Sequence, residues 1–219
     1  DLLIRNGTVV DGSGGAAYRA DVAVQDGRIA AIGRINERAT RTLDAEGHVV
    51  APGFVDGHTH LDAQVFWDTV GSCSAYHGVT TAVLGNCGFG VAPTRPEHRD
   101  LILRTLERVE GMSLSALEAG LGSSWPFQSF PEYMDALERV PLGINVAVMV
   151  GHTPVRLWVM GDEATTRAAT GEEIAQMRDL VAQAMDAGAV GFATSVSKVH
   201  IGYSGRPVPS RLANFDEML

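Results

Sequence analysis

The sequence predicts an α/β protein: a small all-β segment followed by strand–loop–helix repeats that build a parallel sheet, either doubly wound or closed as a (β/α)8 barrel. Three observations carry this expectation. Residues 1–53 hold short β-branched runs punctuated by Asn-Gly and Asp-Gly pairs. From residue 54 onward, glycine-bounded apolar runs alternate with amphipathic stretches, the pattern of βα units. One of those runs, Val146-Ala147-Val148-Met149-Val150, is apolar without alternation, as expected for a strand covered on both faces.

In chain order, Leu2 to Arg5 and Thr8 to Val10 flank Asn6-Gly7, and Asp21 to Gln25 and Arg28 to Ile32 flank Asp26-Gly27. Both pairs supply the positive φ angles of a type I′ turn, so two antiparallel hairpins are predicted. A strand at His48 to Val50 leads to the Pro52-Gly53 break. Strands are then expected at Phe54 to His60, Thr80 to Gly85, Ile144 to Val150 and Ala189 to Ala193. Helices between them start at capping-box spacings, Thr94 with Glu97, Ser129 with Glu132 and Thr170 with Glu173. Pro96 and Pro131 suit early helical positions. The last of these helices should bury Ile174, Met177, Val181, Ala184 and Met185 on one stripe and stop at Gly188. Residues 111–128, with Trp125-Pro126-Phe127, form a long excursion that reads as a lid or pocket wall, or else as a structural loop.

Composition narrows the class. The 219 residues are 45% hydrophobic and 20% charged, with 17 basic and 26 acidic side chains and a net charge of −9. No basic stripe is present, which argues against nucleic-acid or anionic-membrane partners and leaves a small-molecule partner. Cys73 and Cys87 are too few for a disulfide framework, and no apolar run reaches the ~18 residues of a membrane span. A cytoplasmic location is therefore expected; oligomeric state is not encoded in any feature of the chain. The chain opens at Asp1 and stops at Leu219 within an apparent helix start, as a piece of a longer protein would.

The residues that carry chemistry lie at predicted strand ends. His58 and His60 stand one residue apart, and side chains at i and i+2 of a strand share a face, so both imidazoles would reach one ion. The next strand runs into Gly85-Asn86-Cys87-Gly88, where a thiolate between glycines could approach a metal and would favour Zn2+ over Mg2+. A buried inert thiol is the alternative. The third strand ends at Gly151-His152. His152 would face substrate or support the site, or serve as a structural histidine. Asp56 and Asp62 could orient the imidazoles or cap turns.

Val49-Val50-Ala51-Pro52-Gly53-Phe54-Val55-Asp56-Gly57-His58-Thr59-His60-Leu61-Asp62 resembles the first barrel strand of the amidohydrolase superfamily. His77-Gly78-Val79-Thr80-Thr81 followed by Gly85-Asn86-Cys87-Gly88 narrows the resemblance to its D-aminoacylase, or N-acyl-D-amino-acid deacylase, branch. Asn145 with Gly151-His152, Arg156 with Met160-Gly161, and Gly188-Ala189-Val190-Gly191 extend it along the chain. The resemblance implies a (β/α)8 barrel, with residues 1–53 forming part of a small β-sandwich and residues 54–219 the first four to five βα units. It also implies zinc-dependent hydrolysis of N-acyl-D-amino acids to a D-amino acid and a carboxylic acid. Carried over, Cys87 is a zinc ligand and His58 and His60 line a second, weaker metal position. The remaining ligands and the general-base aspartate would fall beyond Leu219.

After the fourth strand the sequence departs from that branch, reading Ala193-Thr194-Ser195-Val196-Ser197-Lys198-Val199-His200, which leaves acyl group and amino acid open. Lys198, His200, Arg206 and Arg211 are candidates for binding a substrate carboxylate from this loop, with a solvated basic loop as the alternative. Cyclic-amide hydrolases of the hydantoinase or dihydroorotase type are the rival within the superfamily. Those relatives use a carbamylated lysine on the fourth strand, and residues 189–195 contain none. An inactive fragment is the rival outside enzymes.

Overall fold

The computed structural model describes residues 1–121, 125–203 and 205–219. Backbone contacts divide the chain into two units, Asp1–Gly53 and Phe54–Leu219. In the first unit, β1 (Leu2–Val9), β2 (Tyr18–Gln25), β3 (Arg28–Gly33), β4 (Arg41–Asp44) and β5 (Val49–Val50) form one sheet in the order β3-β2-β1-β4, with β5 also on β1. The turn between β2 and β3 is the expected one: Asp26 and Gly27 take φ of 52° and 71°.

Asn6-Gly7 is a different feature. β1 runs through it, and between Ile4 and Gly7 one extra residue faces β2. Asn6 takes up the excess at φ 61°, its N–H donating to Asp21 and its side-chain amide to Asp44. The predicted first hairpin is thus a β-bulge, because both sides of the pair continue into partners of the same sheet. β4 and β5 pair parallel to β1, so the sheet is mixed rather than antiparallel throughout.

The second unit is four βα repeats. β6 (Phe54–Asp56), α1 (Ser72–Ala75), β7 (Val79–Leu84), α2 (Arg99–Glu110), α3 (Leu114–Leu121), α4 (Phe130–Arg139), β8 (Asn145–Gly151), α5 (His152–Met160), α6 (Gly171–Asp186), β9 (Gly191–Ala193) and α7 (Phe215–Met218) follow in order. The strands lie β6-β7-β8-β9, all parallel. A doubly wound sheet would reverse this order at a switch point. Sequential order without reversal belongs to the (β/α)8 barrel, of which this is half the strand count.

Helix starts divide into two kinds. Ser129 and Thr170 each form a complete capping box with Glu132 and Glu173, contributing about 1 kcal/mol each. Thr94 does not: its hydroxyl is buried without a partner among the described residues, and a 3-10 turn at Pro96–His98 precedes α2 instead. α6 ends as expected, with Gly188 at φ 101° and the Gly188 and Ala189 N–H groups donating to Met185 and Ala184 carbonyls. On its predicted apolar stripe, Met177 and Ala184 are buried while Met185 is 45% exposed.

Ala82 and Leu84 of β7 and Val148 and Val150 of β8 lie in the main core with Ile102, Leu106 and Leu137 from the helices. The 111–128 excursion is no lid where it is described: it contributes α3 and buries Trp125 and Phe127, whose rings meet at 5.5 Å while Phe127 and Tyr133 meet at 4.9 Å. Residues 122–124 of that stretch lie outside the described residues.

Candidate metal centre

The C-terminal ends of β6 and β7 supply the centre. β6 stops at Asp56, so His58 and His60 stand beyond the strand, not on it. The segment is still held along β7, because Thr59 donates through N–H and hydroxyl to the Val83 carbonyl at 3.2 and 2.8 Å. Asp56 caps this bend by accepting from the His58 N–H; it does not touch an imidazole nitrogen. His58 and His60 rings lie 5.4 Å apart at a steep angle.

After β7 the chain turns sharply. Gly85 takes φ 80°, and a side chain there would place Cβ 2.0 Å from the Met149 carbonyl oxygen of β8, so only glycine fits. Asn86 donates to the Val83 and Thr59 carbonyls, tying this turn to the histidine segment. Cys87 then sits at φ 57°, a left-handed conformation that costs a non-glycine residue about 1–2 kcal/mol. The strain aims its thiol at the histidines: Cys87 Sγ lies 3.2 Å from His58 Nε2. One ligand atom from each of His58, His60 and Cys87 falls within 4.8 Å of the others.

The local field is unusual. Burial, with His58 and His200 nearby, pushes His60 down to about 4, so its imidazole is neutral, the form a metal needs. Burial and Glu110 push the Cys87 thiol up; in the absence of a cation the thiol keeps its proton. Asp62 is 3% exposed, and burial pushes its carboxyl up to about 7. Glu110, at the end of α2, brings Oε2 to 3.4 Å from His60 Nε2, and burial pushes its carboxyl up against the pull of His58. His60 Nδ1 is buried without a hydrogen-bond partner among the described residues. Two imidazoles, one with an orphaned ring nitrogen, and a thiol form a donor set that fits a borderline-soft divalent ion such as zinc.

The other candidates separate in space. His152 opens α5, 2% exposed, with Nδ1 bonded to Thr194 and Nε2 to Glu217, both at 2.8 Å. Both ring nitrogens are engaged, so its polar atoms belong to a buried hydrogen-bonded network. That network includes Arg156, fully buried, which donates to Glu217 and to the Ala164 and Arg167 carbonyls. Burial would raise the Glu217 carboxyl, but the His152 and Arg156 contacts outweigh it and hold it below its ordinary value.

In the loop after β9, His200 packs its ring on Phe89 at 5.1 Å, and Phe89 lies 6.2 Å from the His60 ring. His200 Nδ1 bonds Ser195 Oγ at 2.8 Å. Burial and the neighbouring Arg211 push it down. Arg211 is a strut, donating to the His200 carbonyl. Lys198 and Arg206 are exposed. Of the four basic candidates, His200 is thus the one packed beside the centre. Glu110 and Glu217 were not found by sequence reasoning; Glu110 left a signal, an acid at the last position of a helix before glycine, where the helix dipole disfavours it.

This half-barrel, with imidazoles and a thiol at the strand ends, agrees with the comparisons. The amidohydrolase family profile matches residues 41–204, and the chain belongs to that family. A D-aminoacylase of Alcaligenes xylosoxydans xylosoxydans is 43% identical over 195 residues, which cover 89% of this chain and 37% of that protein. A D-aminoacylase structure from work on its binuclear metal centre, with one-metal activation and second-metal attenuation, superposes with a TM-score of 0.79 at 34% identity over 100% of this chain and 41% of that one. An N-acyl-D-glutamate deacylase of Bordetella bronchiseptica, in complex with zinc and a phosphonate mimic of the tetrahedral intermediate, superposes with a TM-score of 0.77 at 36% identity, covering 100% and 41%. The chain thus spans well under half the length of these relatives.

Proposed function

We propose that the protein takes part in zinc-dependent hydrolysis of the amide bond of an N-acyl-D-amino acid, releasing a free D-amino acid and a carboxylic acid. The observation that carries this reading is the convergence of His58, His60 and Cys87 at the ends of adjacent parallel strands, in a chain whose matched relatives include a D-aminoacylase and an N-acyl-D-glutamate deacylase. Zinc bound there supplies Lewis acidity toward an amide carbonyl and toward water. The chain's own part is to hold the donors. Gly85 and the strained Cys87 backbone fix the thiol, Thr59 and Asn86 lock the two loops together, and the neutral His60 offers a lone pair without first losing a proton.

His200 packs beside the centre and is the residue of the post-β9 loop best placed to meet substrate; Lys198 and Arg206 remain in solvent, and Arg211 holds the His200 backbone. No lysine lies on β9 or its flanks from 189 to 195, which disfavours the cyclic-amide reading. The test is amine release from matched N-acetyl-D- and N-acetyl-L-amino acids by the zinc-loaded protein. D-selective release supports the reading. Turnover of a hydantoin or dihydroorotate with none of the acyl-D-amino acids contradicts it.

A further inference from the structure

We propose that Glu110 is the positioning residue of this centre: its carboxylate holds the His60 ring in place and thereby sets the affinity for a divalent ion. The inference rests on the metal-centre reading. Glu110 Oε2 lies 3.4 Å from His60 Nε2, and the two side chains are only 18% and 15% exposed. An imidazole whose one nitrogen faces a carboxylate presents the other's lone pair, the arrangement that fixes tautomer and ring orientation in metal-binding histidines. The other nitrogen of His60 is buried and has no hydrogen-bond partner among the described residues.

Helix energetics do not explain the acid. Glu110 is the last residue of α2, with Gly111 capping the helix at φ 68°, and a carboxylate at the negative end of a helix is unfavourable. Glu107, one turn earlier, has a structural task, accepting the Leu114 N–H. Glu110 has none of that kind among the described residues. Among the described residues the ion-pair contact of Glu110 is with His60.

The experiment is zinc affinity of the full chain, by competition with a chromophoric chelator, for wild type, Glu110→Ala, Glu110→Gln and Glu107→Ala, with melting temperatures of the metal-free proteins alongside. Glu110→Ala should bind zinc about 10–100-fold more weakly at an unchanged metal-free melting temperature. Glu110→Gln, which keeps a side-chain oxygen to face the ring nitrogen, should recover part of the loss, and Glu107→Ala should leave zinc affinity alone. The proposal is overturned if Glu110→Ala binds zinc as wild type does, if Glu107→Ala shares the loss, or if Glu110→Gln is as weak as Glu110→Ala. Wild type binding no zinc would overturn the metal centre as well, whereas zinc binding that ignores Glu110 removes Glu110 alone.

Discussion

Cys87 Sγ lies 3.2 Å from His58 Nε2 although 29 residues separate them in sequence. The contact exists because β6 and β7 are parallel neighbours whose C-terminal ends open side by side. It also depends on a turn that holds Cys87 in a left-handed conformation. A thiol that packed only as a small apolar group would not need that backbone.

The turn itself is testable. Replacing Gly85 by alanine would drive Cβ to 2.0 Å from the Met149 carbonyl at a φ of 80°. The expected cost is about 2–4 kcal/mol in urea unfolding, with zinc affinity falling in the same variant because Cys87 shifts. Wild-type stability in Gly85→Ala would mean that the turn relaxes freely and does not fix the thiol.

A second prediction concerns the buried ion network. Arg156 is fully buried and Glu217 is its carboxylate partner, also meeting His152. Removing one member leaves a buried charge uncompensated, which costs about 3–5 kcal/mol. Glu217→Ala should lose stability on that scale by chemical denaturation. A loss below about 1 kcal/mol would show that Arg156 reaches water when its partner is gone.

Two groups beside the centre of the metal-free protein oppose each other in their pH dependence. His60 is held down at about 4 against 6.5 when unfolded. Between those values the unfolded chain binds the extra proton, so this term makes stability rise with pH. Asp62 is pushed up to about 7 against about 3.9 unfolded. Here the folded chain holds the extra proton, so stability falls as pH rises through the same range. Each contributes up to about 1.4 kcal/mol per pH unit, and across pH 4–6.5 they cancel. Asp62→Asn should expose the His60 slope, with stability increasing from pH 4 to 6.5. A flat profile in that variant would contradict the neutral, buried His60.

Metal uptake follows a different sign. Burial and Glu110 keep the Cys87 thiol protonated above its ordinary range, and only the thiolate is a ligand. Zinc must displace that proton, so affinity should climb about tenfold per pH unit through pH 6–8, and Cys87→Ala should flatten the dependence. An unchanged slope in Cys87→Ala would place the released proton elsewhere.

Much of the fold was legible because its signals are local. Asp26-Gly27 gave its hairpin, and Ser129 and Thr170 gave their capping boxes, since cap and partner lie three residues apart. Asn6-Gly7 misled: the same dihedral preference serves a turn or a bulge, and which one forms depends on β4 and β5, strands that pair from 30 or more residues away. Thr94 carried cap spacing, but the chain folds into a 3-10 turn before the helix. The imidazole pair and Cys87 were visible as residue types at strand ends. Glu110 was not, because a helix end after β7 meets His60 only through tertiary packing. The His152–Glu217–Arg156 network was hidden for the same reason; His152, for which facing substrate, supporting the site and a structural place were all open, has both ring nitrogens bonded within it.

The central claim is that His58, His60 and Cys87 share one ion. Substituting Co2+ for zinc in the wild-type protein and recording its ultraviolet–visible spectrum tests this most directly, because a thiolate ligand to cobalt gives a strong near-ultraviolet charge-transfer band that imidazole does not. One equivalent of cobalt with that band is expected, with the band absent in Cys87→Ser and the binding weakened in His58→Ala and His60→Ala. Cobalt that binds without a thiolate band, or a band that survives loss of both histidines, would contradict it.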